Sequence, residues 1–276
     1  MMPGTLCLPQ SEEPAPTHVT SRVALVVEYD GTSYFGFQWQ DDRPTVQQAL
    51  EGAILRLTGE KTRVVAASRT DTGVHAFGQV VLVRTTSTLP ARNFVTGLNH
   101  FLPADIAVKS AYLPPASFHV QKSAVSRQYD YRILESATRS PLRERFAYVV
   151  KGPFNVATMN EACQGLIGEH DFASFTSGAG ALIRDTVRRV SVARTTREGD
   201  LLVFTMEASS FLTHQIRNTV GALIEVGLGR MSVSEFYSIM EQRKPGLAGP
   251  KAPACGLHLV RVNYPRPIEE EINENV

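Results

Sequence analysis

Apolar positions along the chain switch repeatedly between a spacing of two and a spacing of about 3.6 residues, so the elements can be read in order. Arg22 to Tyr29 (RVALVVEY) is rich in β-branched residues and predicts a strand. Thr45 to Leu57 predicts a helix, because Pro44 opens it and Thr45 with Gln48 forms a capping-box signature. Strands follow at Arg63 to Ala67 and Gln79 to Thr85, then a helix from Pro90 to Phe101 and a strand from Ile106 to Leu113. The string is β-α-β-β-α-β, and the second half repeats it. Ala124 to Leu134 predicts a strand and Val156 to Ile167 a helix. Thr186 to Thr196 and Leu201 to Ala208 form a hairpin turning at Glu198-Gly199-Asp200, and a helix starts at Leu212. An additional helix, Val233 to Gln242, precedes a last strand from Gly256 to Tyr264.

Two successive split βαβ units predict an α+β protein of two ferredoxin-like βαββαβ halves. Each half would be an antiparallel sheet with helices on one face, and a central cleft would lie between them. The halves span 21–115 and 116–265. Residues 1–20 contain four prolines and few large apolar side chains, while glutamates dominate 266–276, so both ends read as tails.

Composition narrows the class. An apolar fraction of 43% over 276 residues is enough for one large core or two modest ones. No apolar run reaches about 18 residues, and the first residues lack the basic start and apolar stretch of a signal peptide, so a cytoplasmic protein without a membrane span is expected. Cys7, Cys163 and Cys255 form no CxxC pair and read as reduced thiols. The acidic ends carry −2 and −3, so a net charge of +1 leaves +6 on the body between them. A mildly basic body permits RNA binding without demanding it.

Candidate chemistry concentrates in Ser68-Arg-Thr-Asp-Thr-Gly-Val-His75, a polar stretch between two predicted strands. Asp71 supplies a carboxylate, Gly73 can take a positive φ, and Arg69 presents a planar cation two residues from the acid. A hairpin turn in which Asp71 only accepts backbone bonds is the competing reading. Arg217 lies in a segment, Phe211 to Ile224, that is apolar over much of its circumference. Its guanidinium either meets a carboxylate or a phosphate, or snorkels to water. Tyr129 and Tyr131 share one face of a strand flanked by arginines, suited to base stacking or to core packing. The seven histidines show no HxH or HExxH spacing, and no Gly-rich phosphate loop is present, so neither a metal nor a cofactor is expected.

Taken together, these motifs resemble a known family, the TruA-type tRNA pseudouridine synthases. The likeness runs from about Arg22 to Tyr264. It rests on Tyr29-Asp30-Gly31 with Tyr34 to Gln40, Val46-Gln47, Ser68 to Ala76, Phe118-His119, Arg127-Gln-Tyr129-Asp-Tyr131, His170-Asp171-Phe172, Phe211-Leu212 to Arg217-Asn218, and Pro253 to Leu257, in that order. The resemblance implies isomerisation of uridines at positions 38, 39 and 40 of the tRNA anticodon stem-loop, by base flipping and an aspartate nucleophile. It puts the nucleophile at Asp71, the arginine entering the RNA helix at Arg69, the ring on the uracil at Tyr129 and the ion-pair partner of the aspartate at Arg217. Leu257 falls among the substrate-binding residues. A homodimer that grips one tRNA across both subunits is also implied, with no cofactor.

The chain departs from the family pattern at Ser68, where glycine is usual, at Thr72, where alanine is usual, and at Gln121, commonly arginine. His214-Gln215-Ile216 also replaces the usual apolar pair before Arg217. Two other readings stay open. One is a non-enzymatic RNA-binding protein, disfavoured because Gln79 to Thr85 lacks alternating aromatics. The other is a small-molecule lyase or hydrolase built on Asp71 and Arg217.

Overall fold

The computed structural model describes residues 20–176 and 185–266. Apart from Thr20 and Arg266, the expected tails lie outside the described residues. The first half runs β1 (Ser21–Tyr29), α1 (Val46–Thr58), β2 (Val65–Ala66), β3 (His75–Thr85), α2 (Ala91–Phe101) and β4 (Ile106–Tyr112). The capping box forms as its sequence dictates: Gln48 N donates to Thr45 Oγ1 at 3.3 Å, and Thr45 N donates to Gln48 Oε1 at 2.9 Å. Leu50, Ile54, Phe94 and Leu98 turn the buried stripes of α1 and α2 onto the sheet. Phe118, Val120 and Tyr264 cover Ala24, Val80 and Leu82, forming a second, smaller apolar cluster. Enclosure on both sides explains why β1 reads as a nearly unbroken apolar run.

The second half runs β5 (Ser126–Glu135), β6 (Tyr148–Val150), α3 (Val156–Gln164), β7 (Gly168–Asp171), β8 (Val187–Glu198), β9 (Leu201–Ala208), α4 (Gln215–Gly227), α5 (Val233–Gln242) and β10 (Leu257–Asn263). The pattern above gives no sign of β6 or β7. The sequence of β7, GEHD, has no apolar alternation, and it is a strand because its backbone pairs with β8. Of the thirteen residues of α4, all but Arg217 and Glu225 are buried.

The α+β class stands, but the two separate antiparallel sheets do not. The strands form one ten-stranded sheet in the order β4-β1-β3-β10-β5-β9-β8-β7, with β2 on β3 and β6 on β5. Within it each half keeps its own order, β4-β1-β3-β2 and β10-β5-β9-β8. The halves fuse because β3 begins at His75, four residues earlier than its apolar alternation suggests, and offers that extension to β10. His258 pairs with His75 and Leu259 with Ala76 in parallel, while the other edge of β10 is antiparallel to β5. Gly78 permits the approach, since a Cβ there would stand 2.6 Å from the Val260 carbonyl oxygen.

Candidate active site

Residues 67–74 join β2 to β3, and their side chains divide between core and solvent. Thr70 is buried, Arg69 is exposed and Asp71 is partly exposed. Gln79, fully buried on β3, holds Ser68 at both backbone groups: its Nε2 donates to Ser68 O at 2.7 Å and its Oε1 accepts from Ser68 N at 3.2 Å. The hydroxyls of Tyr29 and Thr70 meet at 2.8 Å. The segment carrying Tyr34 and Phe37 adds backbone bonds, with Phe37 N donating to Thr70 O at 3.0 Å and Gly73 N to Tyr34 O at 3.3 Å. Gly73 takes a φ of 77°, the left-handed turn that a glycine here allows. Asp71 is therefore carried on a loop fixed from below on both flanks.

The loop forms one wall of an open cleft of about 910 Å³. All five residues singled out in the sequence, Arg69, Asp71, Tyr129, Arg217 and Leu257, line it. Arg217 Nη1 lies 3.6 Å from Asp71 Oδ2, with side chains 12% and 31% exposed. The arginine of α4 therefore neither snorkels to water nor forms a sealed pair: one face meets the acid and its Nε donates to Ala252 O at 2.8 Å. Tyr129 and Tyr131 are both buried, but differently. Tyr131 belongs to the core and donates to Pro253 O at 2.7 Å. Tyr129 reaches the cleft wall, where its hydroxyl meets Ser68 Oγ at 2.7 Å and its ring stands edge-on to Phe211. Burial pushes the Tyr129 hydroxyl up to about 12, and the nearby Asp71 charge adds to this against the Ser68 bond and Arg127. Tyr129 is thus a neutral hydroxyl at physiological pH. The Arg69 guanidinium has no hydrogen bond or ion pair with any described residue, and it stands exposed beside the acid. Leu257, at the start of β10, contributes an apolar patch of floor.

Comparison with known proteins shows the family. A family model described as tRNA pseudouridine synthase matches residues 25–121 and 162–265. This chain belongs to the tRNA pseudouridine synthase family. It is 40% identical over 244 residues to the tRNA pseudouridine synthase A of Geobacter sp. strain M21, covering 88% of this chain and 98% of that protein. It is 43% identical over 250 residues to the protein of that name from Chloroflexus aurantiacus, covering 88% of each. Against that from Halalkalibacterium halodurans the identity is 41% over 243 residues, covering 88% and 92%.

The departures at Ser68, Gln121 and His214 have a physical place. Ser68 supplies the hydroxyl that meets Tyr129. Gln121 donates from Nε2 to Ala66 O at 2.9 Å, so it braces β2. Beside it the Arg127 guanidinium bonds four carbonyl oxygens, those of Ala124, Ser209, Ala67 and Gln121, and stitches the end of β2 to β5. His214 and Lys251, to which the sequence reading gave no role, reach the same carboxylate region: His214 Nε2 is 3.6 Å from Asp71 Oδ2 and 3.4 Å from Lys251 Nζ. His214 was visible only as an irregularity in its motif, and Lys251 sits in a Gly/Pro-rich stretch that carries no periodic signal. Among the described residues, no group of three or more His, Cys, Asp or Glu side chains could hold a metal ion, and no helix is long and apolar enough to cross a membrane.

Proposed function

We propose that this chain isomerises uridine to pseudouridine at positions 38, 39 and 40 of the tRNA anticodon stem-loop, with Asp71 as nucleophile. The observation that carries the reading is the half-exposed Asp71 carboxylate, held by a braced loop against Arg217 and opening with Tyr129 onto one cleft. The reaction needs no outside reagent: the C1′–N1 bond breaks, C1′ joins C5, the C5 proton leaves and N1 gains one. A uridine stacked in a stem must first leave it, and Arg69, exposed beside the acid, is placed to occupy the gap and bind phosphates. Asp71 then attacks the flipped nucleoside or stabilises cleavage of its glycosidic bond. Tyr129 and Leu257 pack on the uracil, and the neutral tyrosine hydroxyl can donate or accept a proton. Arg217, 3.6 Å from Asp71 Oδ2, orients the acid.

The same reading places the enzyme in the cytoplasm, where its substrate is, and pairs it into a homodimer that grips one tRNA across two subunits. Its test is release of tritium from tRNA labelled at uracil C5, together with mapping of the modified positions. Release stoichiometric with pseudouridine at 38, 39 and 40 is expected. No release from any tRNA, by well-folded protein at saturating RNA, would overturn the reading.

A further inference from the structure

We propose that His214 is a positioning residue for the Asp71 carboxylate, and that its protonation withdraws the carboxylate from the reaction. This deepens the pseudouridine synthase reading and rests on it. The argument starts from the backbone. His214 caps α4 with φ 64° and ψ 3°, a left-handed conformation that a non-glycine residue rarely adopts and that needs support from its surroundings. The helix therefore begins one turn later than its apolar pattern suggests, and the ring is carried to the cleft wall instead of along the helix.

There a single ring nitrogen faces two opposite charges. Nε2 stands 3.4 Å from the Lys251 ammonium and 3.6 Å from Asp71 Oδ2. One nitrogen cannot serve both neighbours at once. Unprotonated, Nε2 accepts from Lys251 and leaves the carboxylate to Arg217 and the substrate. Protonated, it donates to Asp71, places a second cation against the oxygen beside Arg217, and repels Lys251 at the same time. The backbone beside Lys251 is pinned. Ala252, next to it, accepts from Arg217 Nε at 2.8 Å and donates its own N to Arg217 O at 3.0 Å. Beyond that, Pro253 O is held by Tyr131 at 2.7 Å.

Among the described residues, charged groups reach the ring from three elements: Asp71 from the loop before β3, Lys251 from the segment leading to β10, and Arg217 from the first turn of α4. Burial lowers the pKa of His214 below the ordinary imidazole value, and Lys251 and Arg217 lower it further while Asp71 opposes them. The open, reactive arrangement therefore prevails at neutral pH.

The test is the single-turnover rate of C5 tritium release, with enzyme in excess and saturating, followed from about pH 5 to 8. Wild type should lose rate as pH falls below the ordinary imidazole range. His214→Asn tolerates the left-handed backbone and keeps a donor near Asp71 but does not titrate. Its acid limb should move downward by about one pH unit or more, the scale on which environments shift a histidine. Lys251→Met removes a like charge, raises the histidine pKa and should move the limb upward. Opposite shifts from two neighbouring substitutions are not what a merely structural role produces, and melting curves will establish that both variants fold. An acid limb unmoved in both variants, or moved in the same direction in both, overturns the proposal while wild-type turnover upholds the underlying reading. Wild type inactive on every tRNA would instead overturn that reading itself.

Discussion

Two polar clusters sit where the halves of the molecule meet, and each contains an aspartate, an arginine and a histidine. In the first, Asp30 Oδ2 meets Arg145 Nη2 at 2.7 Å and Oδ1 meets His75 Nδ1 at 3.1 Å, while Thr32 donates from its N at 3.0 Å and its hydroxyl at 2.6 Å. Burial opposes the charge of Asp30, but the Thr32 bonds, His75 and Arg145 together hold its carboxyl below the usual range. In the second, Asp71 has Arg217 and His214 at 3.6 Å each, and no shorter polar contact reaches its carboxylate from the described residues. The same three residue types thus make a fastener in one place and a site in the other. A carboxylate with both oxygens engaged at short range is a fastener between the halves. One with only two partners among the described residues, each at 3.6 Å, has capacity left for a substrate.

The largest expected effect separates the two acids directly. Asp71→Asn preserves size and most local hydrogen bonds but removes the charge, so turnover should fall by on the order of 10³-fold or more with melting temperature little changed. Asp30→Asn should do the reverse, costing roughly 1–3 kcal/mol of stability with turnover within a few-fold of wild type. Paired tritium-release and thermal-melting measurements on both variants check this. If Asp71→Asn released tritium at an undiminished rate, Asp71 would be a turn residue and the contrast would collapse.

Arg217→Leu should come next, with turnover down by about 10²-fold, the scale of losing the orientation of a catalytic group. Its stability cost should be only about 1–2 kcal/mol, because Asp71 retains access to water and does not become an uncompensated buried charge. Thermal melting beside single-turnover kinetics distinguishes the two losses. A large drop in stability would mean that the pair is sealed in the folded protein.

Much of this was legible in the chain. The Thr45/Gln48 box, the doubled βαββαβ string and the meeting of Asp71, Arg69, Tyr129 and Arg217 all follow from local chemistry or from motif order. What was hidden depends on pairing across long sequence separations. The extension of β3 back to His75 is a strand because β1 and β10 lie beside it, and β7 because β8 does. Arg217 was expected either on the surface or in a buried pair and is neither, since half-burial is set by the cleft and not by the helix. Lys251 gave no signal because it reaches the site only through the bonds that pin Ala252 to Arg217.

The closed cluster makes its own prediction about acid. His75 and His258 pack with ring centroids 4.8 Å apart and planes tilted by 48°, and each has one buried ring nitrogen without a hydrogen-bond partner among the described residues. Burial lowers both, with His258 down to about 3 from an ordinary 6.5, and the neighbouring His75 and Arg132 add to the lowering at His258. A histidine whose folded value is depressed binds fewer protons folded than unfolded. Its stabilising contribution is therefore complete above about 6.5 and is lost progressively as pH falls toward about 3. His258→Gln keeps a donor for Phe146 O but removes one titration, so the loss of stability on acidification should be shallower than in wild type. Denaturant midpoints measured across that range check it, and parallel curves for the two proteins would mean that the seam does not titrate.

The smallest effect is expected at Ser68, where this chain carries a hydroxyl in place of the usual glycine. Ser68→Gly removes the only side-chain partner of the Tyr129 hydroxyl among the described residues, at a position already braced through its backbone by Gln79. The loop should therefore keep its shape, and the loss is confined to one hydrogen bond worth about 1 kcal/mol. That corresponds to a several-fold fall in the single-turnover rate, with tRNA affinity and melting temperature close to wild type. Ser68→Thr offers the same hydroxyl and should restore most of the rate. A glycine variant as fast as wild type would show that water replaces the serine hydroxyl without cost, placing the orientation of Tyr129 with β5 and Phe211 alone. A threonine variant as slow as glycine would instead locate the effect in the backbone of the loop.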